Sequence, residues 1–96
     1  MKVTKELTDK TMIVKVEGWL DIQSNKEFAA FMSEIPVQEK LVMDFQNLEY
    51  ISSSGIREIV SVVLRQPEGT FSIINVSPSI KSVFEMIGLD KKISIS

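Results

Sequence analysis

The stretch from Leu41 to Val76 constrains the fold most, because the spacing of its apolar residues changes twice. Leu41, Val42, Met43 and Phe45 form an apolar run broken only by Asp44, the pattern of a strand buried on both faces at the centre of a sheet. Ile56, Ile59, Val60 and Val63 then recur at helical spacing, with Arg57, Glu58, Ser61 and Arg65 on the other side, so a helix is predicted over residues 54–65. Pro67 and Gly69 turn the chain, and Phe71 to Val76 reads as a second strand. Strand, helix and strand in that order predict a right-handed parallel crossover.

The flanking segments complete the pattern. Val3, Lys5 and Leu7, then Met12, Val14 and Val16, alternate with their neighbours around a polar Thr8-Asp9-Lys10-Thr11 link, which predicts a β-hairpin. Phe28, Phe31, Met32 and Ile35 make a helical stripe, with Ser24 and Glu27 spaced as a capping box and Pro36 as its stop. A third helix is predicted from Ser77 as cap and Pro78 as first residue, through Ile80, Val83, Phe84 and Ile87, to Gly88. Lys92 to Ile95 can add a short edge strand. The expectation is an α/β fold in one domain over residues 1–96, with helices mainly on one face because the opening hairpin needs no crossover.

Composition removes whole classes of function. The chain has no Cys and no His, which excludes disulfide, thiol redox and the usual zinc or iron sites, and also Ser-His-Asp and Cys-His catalysis. A formal charge of −2, with no basic cluster beyond Lys91-Lys92, offers no footprint for nucleic acid or an anionic membrane. A chain of 96 residues has little room for a deep catalytic cavity. No apolar segment suits a signal peptide or a membrane span, so a cytoplasmic protein without cofactor is expected. Met1, two residues before the first alternating residue, favours a stand-alone protein.

One segment has no simple packing explanation. Ile51-Ser52-Ser53-Ser54-Gly55-Ile56 puts three hydroxyls where a loop enters an amphipathic helix, and a single N-cap needs only one. A helix N-terminus favours negative charge, so a serine there could carry a phosphate, with Arg57 four residues after Ser53 adding to the field. Elsewhere, Asp44 is expected to accept hydrogen bonds from the following loop, since an unpaired carboxylate in an apolar run is costly. Asp21 can simply end a strand, and Trp19 can be either a packing residue or an interface residue.

Taken together, Gly18-Trp19-Leu20-Asp21, Val42-Met43-Asp44-Phe45, Tyr50-Ile51-Ser52-Ser53-Ser54-Gly55-Ile56, Asn75-Val76-Ser77-Pro78 and Phe84-Glu85-Met86-Ile87-Gly88-Leu89 closely resemble STAS domains of the bacterial anti-sigma factor antagonist type. The resemblance runs over almost the whole chain, and Ser-Ser-Gly at the helix start is its most specific part. It implies a four- to five-stranded mixed sheet packed against three to four helices, and a non-enzymatic role in a partner-switching circuit. In such circuits an anti-sigma factor that is itself a serine kinase phosphorylates the antagonist on the serine two residues before the glycine, which is Ser53 here. A phosphatase of the PP2C type removes the phosphate, and the unphosphorylated antagonist binds the anti-sigma factor and frees the sigma factor. The resemblance also implies that Asp21, Ser52, Ser54, Gly55 and Arg57 lie on the partner-binding surface, with Ser54 as the helix cap or its neighbour. This chain has Ser52 where the best-known members have Asp.

Three other readings compete. A STAS module can serve another assembly, as a lipid-transport accessory, a sensor-complex scaffold or a regulatory part of an anion transporter. A receiver domain phosphorylated on Asp44 needs an acidic pair after its first strand, and Val14-Lys15-Val16-Glu17-Gly18 supplies none. An enzyme with a serine nucleophile needs a base, and no histidine is available.

Overall fold

The computed structural model describes residues 1–96. Strands β1 (Lys2–Thr8) and β2 (Thr11–Leu20) are followed by helix α1 (Asn25–Ser33), strands β3 (Lys40–Asp44) and β4 (Leu48–Ile51), and helix α2 (Ser53–Arg65). Then come strand β5 (Phe71–Ile74), helix α3 (Pro78–Met86), a 3₁₀ turn at Leu89–Lys91 and strand β6 (Ser94–Ile95). The sheet is mixed. It runs β1-β2-β3-β5-β6, with β4 pairing the far end of β2.

The β1-β2 hairpin is antiparallel and closes through Asp9 and Lys10, whose φ values of 47° and 67° give the two left-handed residues that a tight hairpin turn uses to match strand twist. Every other pairing is parallel, including the β3-α2-β5 crossover expected from the Leu41–Val76 pattern. Met12, Val14, Val16, Leu41, Met43, Phe45, Phe71 and Ile73 are buried on one face of the sheet. Phe28 and Met32 of α1, Ile59 and Val62 of α2, and Ile80 and Phe84 of α3 join them in one core cluster of 21 residues.

All three helices therefore cover the same face. On the other face Ile13, Val42, Asp44 and Ile74 are only half-buried, so β3 is central but not enclosed on both sides as its apolar run suggested. Ile13 and Val42 are Cα partners and shield each other there, which lets an apolar residue stand on a face without helices. The sheet has six strands where four to five were expected. The additional one is β4, hidden in sequence because its burial runs buried, exposed, exposed, buried and shows no alternation.

β4 exists because β2 forks. Its first half pairs β3, and its last residues, from Gly18 to Leu20, pair β4 across a register shift between Gly18 and Trp19. Gly18, at φ 85°, takes the left-handed conformation that this irregularity needs, and its N–H donates to the Asn47 carbonyl at 2.9 Å. The fork brings the C-terminal ends of β2 and β4 side by side, with Leu20 opposite Ile51.

Candidate phosphorylation and partner-binding site

Two chain exits meet at the fork. The Ser52 N–H donates to the Leu20 carbonyl at 2.9 Å, so the turn after β2, which begins at Asp21, lies against the start of α2. The glycine of the serine motif makes this closeness possible. A Cβ on Gly55 would stand 2.7 Å from the Leu20 carbonyl oxygen and 2.9 Å from Leu20 Cγ, closer than side-chain carbons approach such atoms. Gly55 thus acts through packing, beneath the surface on which the resemblance set it.

The three serines separate by position. Ser52 is the N-cap: its backbone is extended, its Oγ accepts the Gly55 N–H at 3.2 Å, and its carbonyl accepts the Ile56 N–H at 2.9 Å. Ser54 is not the cap. Its hydroxyl lies 2.9 Å from that of Ser52, and the two share a hydrogen bond. Ser53 is the first helical residue, exposed, with its hydroxyl engaged by no group of the chain. Arg57, one turn further along α2, is also exposed.

Asp21 organises the neighbouring turn. Its Oδ1 accepts the N–H groups of Gln23 and Ser24 at 3.0 and 3.1 Å, while its own N–H donates to Ser24 Oγ at 2.9 Å. Ser24 Oγ also lies 2.7 Å from the Trp19 carbonyl and 3.0 Å from Asp21 Oδ1. The box expected between Ser24 and Glu27 does not form, because Ser24 already has helical angles and turns its hydroxyl back toward Asp21. The reciprocal pair sits three residues upstream, as Asp21 with Ser24. The Ser24 N–H holds the Asp21 carboxyl below the ordinary carboxylate range, helped by the Ser24 hydroxyl and the Gln23 N–H and opposed by partial desolvation.

Asp44 does what was expected of it, accepting the Gln46 N–H at 3.0 Å and the Asn75 side-chain amide at 3.1 Å. Trp19 is not a core residue. It is exposed and stacked with Tyr50 across the β2-β4 pair, ring centroids 5.0 Å apart. Tyr50 stands in sequence only as the first residue of the serine motif, and its exposure beside Trp19 depends on the fork at Gly18; Ile22, in the turn after β2, is also exposed. The three main concavities, of about 190, 140 and 320 Å³, are not lined by Ser53.

A mixed sheet covered on one face, with a Ser-Ser-Ser-Gly helix start beside an aspartate turn, is the architecture of a STAS domain. The chain belongs to the STAS domain family, which matches residues 2–96. It is 29% identical over 92 residues to BtrV of Bordetella bronchiseptica, which is named an anti-sigma factor antagonist, covering 92% of this chain and 79% of that one. Its fold is similar to that of an anti-sigma factor antagonist from Mycobacterium paratuberculosis, with a TM-score of 0.89, 20% identity and coverage of 98% and 83% of the two chains. It is also similar in fold to the Bacillus cell fate determinant SpoIIAA in its phosphorylated form, with a TM-score of 0.64, 19% identity and coverage of 99% and 91%. No helix is long and apolar enough to cross a membrane.

Proposed function

We propose that this chain is an anti-sigma factor antagonist: a cytoplasmic, non-enzymatic binding module whose hold on an anti-sigma factor is switched by phosphate on Ser53. The observation that carries the reading is that, of three consecutive hydroxyls, only that of Ser53 is both exposed and free of hydrogen bonds. Relatedness to BtrV supports the partner class. The kinase is the anti-sigma factor itself, and a PP2C-type phosphatase restores the binding form. Asp21, Ser52, Ser54 and Arg57 frame the surface, and Gly55 sets its height.

The switch works by exclusion at the interface. Phosphate adds about −1.5 to −2 charges at pH 7, and the N-terminus of α2 with Arg57 offers it local compensation, so the domain itself tolerates the group. A partner carboxylate facing Ser53 does not. At ~6 Å and an effective dielectric near 20 the repulsion is about 4–5 kcal/mol before screening, while a hundredfold loss of affinity needs only about 2.7 kcal/mol. Incubation with the anti-sigma factor serine kinases of the source organism, followed by peptide mapping, is expected to find phosphate on Ser53 and none on Ser53→Ala. Modification confined to Ser52 or Ser54 would overturn the assignment.

A further inference from the structure

A serine hydroxyl and a capped carboxylate can veto a partner but supply little of the energy that holds one, and the energy of protein interfaces concentrates in aromatic anchors. A pair of that kind stands on the two strands whose ends lead to Ser53. Trp19 and Tyr50 are Cα partners on β2 and β4, with ring planes tilted by 41°, and remain 54% and 45% exposed. Ile22, 79% exposed, extends the apolar surface into the Asp21 turn. Tyr50 is three residues before Ser53, and the Ser52–Leu20 hydrogen bond joins the two strand ends, so the aromatic pair and the serine lie at the same end of the sheet.

We propose that the Trp19–Tyr50 pair anchors the anti-sigma factor serine kinase that recognises Ser53, with affinity residing in the rings and switching in the serine. The inference rests on the function proposed above. Asp21 and the exposed Glu49 flank the rings, and the Met1 ammonium lies against Gly18 beside them, so the matching face of the kinase is an apolar recess with charges of both signs at its rim.

Trp19 is the only tryptophan of the chain, which makes it a reporter of its own burial. Titrating the unphosphorylated chain with the purified kinase is expected to shift its emission to the blue, read against kinase alone. By calorimetry, Trp19→Ala and Tyr50→Ala should each weaken binding at least about 30-fold. Leu64→Ser, at the other end of α2, should leave affinity unchanged. Calorimetric binding without an emission shift, and with both aromatic variants at wild-type affinity, would overturn the anchor and leave the proposed function standing. Absence of any binding by the wild-type chain would overturn both. A blue shift driven by chain concentration alone would assign the surface to a second copy and contradict the proposal. Should an alanine variant fail to fold, the emission of the unmodified chain still decides.

Discussion

Ser52, Ser53 and Ser54 are chemically identical, and their different fates come from the first turn of α2. Removing the cap with Ser52→Ala should cost about 1 kcal/mol, lowering Tm by about 4–8 °C for a chain of this size, whereas Ser52→Asp should hold Tm near wild type, since aspartate caps as well as serine. Gly55→Ala should be worse than helix propensity suggests. The added methyl regains at most about 1 kcal/mol of propensity but meets a backbone oxygen at 2.7 Å, so a net loss of about 1–2 kcal/mol in a denaturant titration is expected. For Asp21 the folded pKa is depressed, so its contribution is present above the unfolded pKa of about 3.8 and is lost as pH falls through the folded value. The acid limb of a stability profile should therefore flatten in Asp21→Asn. The surplus of hydroxyls was visible in sequence, but the cap was not, since only the approach of Leu20 fixes which serine faces the first free N–H groups.

At the level of elements, two features that position the site were illegible for a common reason: each depends on a partner far away in sequence. β4 lacks alternation because the register shift against the end of β2 skips Glu49 between Leu48 and Tyr50. The buried line of α2 is Gly55, Ile59, Val62 and Gln66, rotated from the expected stripe because its two ends are not apolar. Gln66 is buried because it is fully paired. Its Oε1 accepts the Gln38 N–H at 2.9 Å, and its Nε2 donates to the Gln38 carbonyl at 3.1 Å and to Thr70 Oγ1 at 2.8 Å. It ties the entry to β3 and the turn before β5 to the end of α2. Gln66→Leu, which fits the pocket but strands the Gln38 N–H and carbonyl, should cost about 1–3 kcal/mol by urea titration.

For the molecule as a whole, the two periodicities were enough to set the order of layers, and the α/β class and its mixed sheet follow from them. The uncovered face was harder to see, since Ile13, Val42 and Ile74 are apolar yet lie away from the helices. With every helix on one side, the ends of β2 and β4 present Asp21, Ser53 and the aromatic pair together at one end of the sheet, and the far end of α2 lies about 18 Å away at 1.5 Å per residue. Phosphate at Ser53 then meets solvent and partner rather than core, and the phosphorylated chain should keep the circular dichroism of the unmodified one. Calorimetric titration of the unphosphorylated and the Ser53-phosphorylated chain against the anti-sigma factor kinase tests the central claim most directly. The account predicts tight binding by the first and at least a hundredfold weaker binding by the second; equal affinity of the two forms would contradict it.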